Sequence, residues 1–169
     1  SEALHDQKFV QVAKDIAGGE NKVRVVLIAG PSSSGKTTFS KRLSIEMLAL
    51  GISPVPIEMD DFFVDRTQSP KDKDGNYDFE SIYNLNLPLL DDCVKKLITG
   101  QEVQLPKYDF LDGKSKPGKV VKLAKDQMII LEGIHGLNPE LLKEIDPNLK
   151  YKVFVSPLTQ LNVDRYNRV

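Results

Sequence analysis

The stretch Val23-Arg24-Val25-Val26-Leu27-Ile28-Ala29-Gly30-Pro31-Ser32-Ser33-Ser34-Gly35-Lys36-Thr37-Thr38 decides the fold. Its first part, 23–29, is short, apolar and β-branched. Such a run predicts a central parallel strand buried on both faces. Gly30 to Thr37 then satisfies G-x-x-x-x-G-K-[ST] at every fixed position. From Lys36 to Leu50 the apolar residues Phe39, Leu43, Met47 and Leu50 recur at helical spacing, and Gly51 follows as a stop. A buried strand, a glycine-rich turn and an amphipathic helix are the context a phosphate loop needs. The glycines let successive N–H groups converge on an anion, and the positive end of the helix faces the same point. Lys36 supplies a mobile charge for the β- and γ-phosphates, and the Thr37 hydroxyl is a ligand for Mg²⁺. Gly30, Pro31, Ser32, Ser33, Ser34, Gly35, Lys36, Thr37 and Thr38 are therefore expected to hold the phosphates of a nucleoside triphosphate, with ATP and Mg²⁺ as cofactors.

Working outward, residues 4–17 predict a helix with Phe9, Val12, Ala13 and Ile16 on one face, stopped at Gly18-Gly19. Residues 54–59 predict a second strand that ends at Asp60-Asp61. Residues 64–78 are polar and rich in turn formers, hence a loop. Residues 88–99 predict a helix with Leu89, Leu90, Cys93, Val94 and Leu97 inward. Residues 102–110 and 118–123 predict a β-hairpin, or a pair of excursion strands, around Asp112-Gly113. Residues 127–131 are a third buried strand, ending at Glu132, and 151–155 are a fourth. Residues 159–169, with Leu161, Val163 and Tyr166, are expected to begin a last helix. Strands alternating with helices imply an α/β fold, a P-loop NTPase with a parallel β-sheet and helices on both faces, with a small β-hairpin beside it.

In such a sheet ligands lie beyond the carboxyl ends of the strands. Asp60-Asp61 and Glu132 stand at two of those ends. A carboxylate there can hold Mg²⁺, directly or through water, and another can take a proton from an acceptor hydroxyl. His135 reads as a structural loop residue and Cys93 as core packing. A net charge of −1 argues against a nucleic-acid partner or an anionic membrane. One cysteine cannot build a disulfide framework, so a reducing cytoplasm is the simple reading. No apolar run approaches the roughly 20 residues that span a bilayer, and no signal-peptide pattern opens the chain.

These residues resemble the uridine kinase and phosphoribulokinase family, in particular a bacterial uridine-kinase-like subgroup. The resemblance rests on Ala29 to Thr38, on Asp60-Asp61-Phe62-Phe63, on Tyr77-Asp78-Phe79, on Leu105-Pro106-Lys107-Tyr108-Asp109-Phe110 and on Ile130-Leu131-Glu132-Gly133-Ile134. Their order and spacing match across 23–168. It implies that Asp60 and Lys36 are catalytic, with Asp60 as the base for a nucleoside 5′-hydroxyl. It implies Thr37, Asp60 and Glu132 as the metal shell, Asp78 on the ribose hydroxyls, and Tyr108 and Phe110 as the wall of the base pocket. Three departures stand out. Asp112-Gly113 replaces a base-contacting histidine of the family's nucleoside kinases. Phe63 replaces a tyrosine. The arginine-rich lid after the fourth strand is represented here only by Arg165 and Arg168, which read as solvated helix residues.

The function expected is transfer of the γ-phosphoryl group of ATP to a small-molecule acceptor, the 5′-hydroxyl of uridine or cytidine. The alternatives are another sugar-like alcohol, such as phosphoribulose or pantothenate, or a regulatory module that binds nucleotide without turnover. Residues 1–22 are expected to be a helix leading from an upstream domain, and 23–169 a kinase core cut before its lid. A homo-oligomer is allowed by this reading.

Overall fold

The computed structural model describes residues 2–18, 23–30, 36–156 and 162–165, with side chains at 10–18, 23–30 and 38–155. The chain forms two compact units, one of residues 1–57, 124–137 and 145–169, the other of 58–123 and 138–144.

The first unit is built on β1 (Val25–Ala29). It pairs in parallel with β5 (Gln127–Glu132) on one side and with β6 (Lys150–Ser156) on the other. All five β1 side chains are buried, which is why the strand reads as an unbroken apolar run. β2 (Ser53–Glu58) lies beside β5, giving the order β2-β5-β1-β6-β7. Helices α1 (Glu2–Gly18) and α2 (Lys36–Ala49) join one core with this sheet. Val12, Ala13 and Ile16 of α1 and Phe39, Leu43 and Met47 of α2 pack there with Val26, Ile28, Ile130, Tyr151 and Val153. Each set repeats at three or four residues, the spacing of one helix face. Gly51, at φ 81°, ends α2 as a left-handed cap, with its N–H bonded to the Leu48 carbonyl. Leu50, expected on the apolar face, falls after the last helical residue and is exposed. Among the described residues no helix is long and apolar enough to cross a membrane.

The expected last helix is corrected. Residues 162–165 form β7 (Asn162–Arg165), antiparallel to β6 with Val155 opposite Val163 and Val153 opposite Arg165. Leu161 and Val163 are two residues apart, which is strand periodicity, and the unpaired edge of β6 offers backbone partners that an isolated short helix lacks. Tyr166 and Arg168 lie outside the described residues.

The second unit holds α3 (Leu87–Ile98) and a hairpin of β3 (Glu102–Asp109) and β4 (Lys114–Lys122). Asn86 caps α3 by accepting from Leu89 N–H at 3.2 Å, and Pro88 sits in the first turn, where no N–H is needed. Leu90, Cys93, Val94 and Leu97 are buried. Burial pushes the Cys93 thiol above its ordinary value, as suits a packing residue and not a nucleophile. β4 starts four residues earlier than the sequence reading placed it, because the Lys-rich segment 114–117 pairs fully with 106–109.

A prediction follows from the turn after β5. A Cβ added at Gly136 would lie 2.7 Å from the Ala29 Cβ at the end of β1. Gly136→Ala is expected to destabilise the fold by about 1–3 kcal/mol through overpacking. A lowered urea midpoint with an unchanged slope would show it; an unchanged midpoint would contradict the tight approach.

Candidate active site

β1 delivers the chain to Gly30, which is buried and sits at φ 149°, a backbone region that side-chain-bearing residues avoid. Pro31 to Gly35 of the expected phosphate loop lie outside the described residues. α2 resumes at Lys36, so the first turn of a helix carries Lys36, Thr37 and Thr38. Strand, Gly30 and helix start thus occur in the order a phosphate loop requires. Glu132 is the last residue of β5, half-buried, with its backbone in register with Ile28 of β1.

In the second unit a 3-10 turn, Met59–Phe62, carries Asp60 and Asp61. Met59 and Phe62 are buried and anchor the turn, so the two carboxylates lie on its outer side. They differ in exposure. Asp61 Oδ1 accepts from Tyr108 N–H at 3.4 Å and lies 3.6 Å from Lys107 Nζ. Asp60 is exposed. Asp61 therefore ties the turn to the hairpin, while Asp60 faces outward.

The hairpin aims its aromatic residues through a change of phase. Val103 and Leu105 are buried at alternate positions, then Tyr108. The pairing register shifts between Gln104 and Pro106. That irregularity turns Tyr108 to the buried side, three residues after Leu105. Gly118 accommodates it: a Cβ there would lie 2.7 Å from the Leu105 carbonyl oxygen.

Tyr108 and Phe110 then meet Phe63 edge to face, with centroids 4.8 Å apart for Tyr108–Phe110 and 5.3 Å for Phe63–Tyr108. These rings wall a cavity of about 440 Å³, completed by Val64, Arg66, Ser69, Phe79 and Asn84. That volume suits a small organic ligand. Of the residues expected at the acceptor, Tyr108 and Phe110 line it and Asp78 does not. Asp78 shapes the wall indirectly: its carbonyl accepts from Asn84 Nδ2 at 2.6 Å, and its Oδ1 accepts from Glu80 N–H at 3.2 Å. Asn84 Oδ1 is buried with no hydrogen-bond partner among the described residues.

Sequence reasoning missed Arg66, Ser69 and Asn84. Each is a lone polar residue in a loop, and nothing in its neighbours' periodicity marks it. Residues 25–166 match the model of the Phosphoribulokinase / Uridine kinase family. The chain belongs to that family. Members of the phosphoribulokinase and uridine kinase family are ATP-dependent phosphotransferases. A uridine kinase of Ligilactobacillus salivarius is 29% identical over 152 residues, covering 89% of this chain and 68% of its own. A uridine kinase of Halobacterium salinarum is 29% identical over 118 residues, covering 70% of this chain and 51% of its own. The chain thus spans between 51% and 68% of the length of these two relatives. A solved structure described as a possible uridine kinase from Bacillus stearothermophilus superposes with a TM-score of 0.67 at 27% identity, covering 88% of this chain and 79% of that one.

Among the described residues no cluster of three His, Cys, Asp or Glu could cage a metal by itself. Mg²⁺ in phosphoryl-transfer sites is held by one or two carboxylates together with substrate phosphates; Glu132, in the first unit, is a carboxylate at a strand end, and Asp60, in the second, is an exposed one.

The hairpin tip is pinned by charge. Lys116 Nζ bonds Asp109 Oδ2 at 2.7 Å and also Asp112 Oδ2, while Asp109 Oδ1 accepts from Leu111 and Asp112 N–H. The Lys116 bond first, then the Asp112 N–H, holds the Asp109 carboxyl below its ordinary 3.8, and the carboxylates of Asp109 and then Asp112 hold the Lys116 ammonium above its own ordinary value. A lowered carboxyl contributes order that is present above 3.8 and lost as pH falls through the lowered value. Amide exchange at Leu111 and Asp112, corrected for intrinsic rate, is expected to accelerate as pH drops below 3.8. In Asp109→Asn that acid-dependent step should vanish; its persistence would locate the titrating group elsewhere.

Proposed function

We propose that the chain is the core of an ATP-dependent kinase that moves the γ-phosphoryl group of ATP to the 5′-hydroxyl of a pyrimidine nucleoside, uridine or cytidine. The observation that carries this reading is the aromatic cavity of Phe63, Phe79, Tyr108 and Phe110. Flat rings on several sides suit a planar heterocycle. A phosphorylated sugar or a branched alcohol has no aromatic face to stack against these rings. The relatives named as uridine kinases support the same acceptor.

In this reading Gly30 to Thr38 wrap the phosphates, with Lys36 on the β- and γ-groups. Thr37, Asp60 and Glu132 would hold Mg²⁺, which neutralises and orients the phosphates when bound. Asp60 takes the proton of the acceptor hydroxyl as its oxygen bonds the γ-phosphorus, and the bond to the β-bridging oxygen breaks to release ADP. Asp60 suits this role because its carboxylate is exposed. Tyr108 and Phe110 hold the base. Asp78, next to the lining residue Phe79, serves the ribose hydroxyls. Most of the catalysis would come from positioning and charge neutralisation.

The test is a steady-state assay with MgATP and uridine, paired with calorimetric titration of MgATP. Asp60→Asn is expected to lower kcat by about 10²–10⁴-fold, the usual range for a lost general base, and to leave MgATP affinity nearly intact. Asp61→Asn should act mainly on the acceptor KM, through the hairpin. Lys36→Ala should weaken MgATP and slow turnover. If Asp61→Asn is the more damaging to kcat, the assignment of the base is wrong.

A further inference from the structure

We infer that Arg66 sets the acceptor specificity of the aromatic cavity, selecting a pyrimidine with a carbonyl at its 4-position over one with an amino group there. This rests on reading the cavity as the acceptor site.

Arg66 is held on the cavity wall by its own backbone and by its side chain. Its N–H donates to the Gly113 carbonyl at 2.7 Å, and its guanidinium donates to the Phe110 carbonyl at 2.9 Å. Gly113 makes room for it. A Cβ there would lie 2.8 Å from Arg66 Cζ and 2.9 Å from Nε, and the glycine also stands at φ 67°, where a side chain is strained. The tip carboxylates Asp109 and Asp112 turn to Lys116, and Asp65 Oδ1 accepts from Ser115 N–H at 2.8 Å. The hairpin tip is thus assembled around the guanidinium, beside the Phe110 ring that lines the same cavity.

The chemistry of the lining follows from what each polar group can do. Ser69 can donate or accept. Asn84 spends its Nδ2 on the Asp78 and Ser81 carbonyls, and its buried Oδ1 is an acceptor with no partner among the described residues. Arg66 can only donate: its planar fork carries five N–H groups, has no acceptor and does not deprotonate. One bond to a carbonyl does not exhaust that fork. The sugar of a bound nucleoside must leave the cavity through N1 to reach the phosphoryl donor. The ring atom opposite N1 is C4, so its substituent is the one carried furthest in. A 4-carbonyl oxygen accepts from a guanidinium, whereas a 4-amino group presents a second donor and gains nothing from that guanidinium. Charged hydrogen bonds outrank neutral ones, and a site built to bond a group discriminates against the analogue that lacks it.

The experiment compares kcat/KM for uridine and cytidine in the intact protein with saturating MgATP, in wild type, Arg66→Gln and Arg66→Lys. Wild type is expected to favour uridine by about 10–100-fold. Arg66→Gln, whose amide both donates and accepts, should bring that ratio close to one, chiefly through KM. Arg66→Lys keeps a donor-only cation and should keep the preference at a raised KM. A purely structural role would treat Gln and Lys alike and move both nucleosides together, and that result overturns the assignment. So does a wild type that uses cytidine as well as uridine. Turnover of neither nucleoside, with MgATP still bound, overturns the acceptor reading itself.

Discussion

The burial of β1 on both faces is the constraint on which the rest depends. A strand with neighbours on each edge and cover on each face has all its backbone groups paired and all its side chains dry. It cannot shift by one residue without breaking two parallel ladders. That rigidity is transmitted to Gly30, the residue at which the chain must turn. The close approach of Gly136 to Ala29 adds a second fixed point at the same strand end. A phosphate loop works by backbone N–H groups aimed at one place, so the strand feeding it must not move. Arg24 contributes at the other end, where its guanidinium donates to the carbonyls of Lys125 and Ala124 and ties the approach to β5 to the start of β1.

The second unit solves a different problem, holding aromatic rings edge to face while leaving space between them. Rings of this kind would normally collapse into a core. Here backbone bonds keep them apart. Val64 N–H donates to the Asn84 carbonyl and Asn86 N–H to the Phe62 carbonyl, which fixes the segment bearing Phe63 against the segment leading to α3. The irregular register near Pro106 turns Tyr108, and the charged tip around Lys116 sets Phe110. The cavity is a consequence of these separate anchors and not of any single loop.

Much of this was legible in the sequence, for reasons that differ by element. β1, α2 and α3 have one dominant periodicity and a clear stop, so local pattern and tertiary packing agree. Asp60-Asp61 and Glu132 were legible because strand ends are fixed by the same pattern. What failed was whatever depends on a distant partner. β7 was read as a helix because the edge of β6, which recruits it, is not visible from residues 159–169 themselves. β4 was started late because its lysines look like loop until β3 lies opposite them. Arg66 and Asn84 gave no signal at all, since their place on the cavity wall is set by Gly113 and Asp78, many residues away or on another turn.

The carboxylates near the hairpin show why composition misleads about a site. The segment 58–123 contains many acids, and a reading of the sequence by charge alone would expect an acidic pocket. The structure commits these groups to the frame instead. Asp61 takes Tyr108 N–H, Asp65 takes Ser115 N–H, Asp72 takes Asp74 and Asn76 N–H, Asp78 takes Glu80 N–H, and Asp109 takes Lys116. Asp72 and Asp78 bond backbone within their own turns, the use to which aspartate is suited in loops, while Asp61 and Asp65 reach the distant hairpin backbone and Asp109 a side chain across it. None of them lines the cavity, whose one charged lining residue is Arg66. A region rich in negative charge thereby presents an apolar, donor-bearing interior. The acids build the walls, and the polarity that a ligand would meet is set by the residue they hold in place.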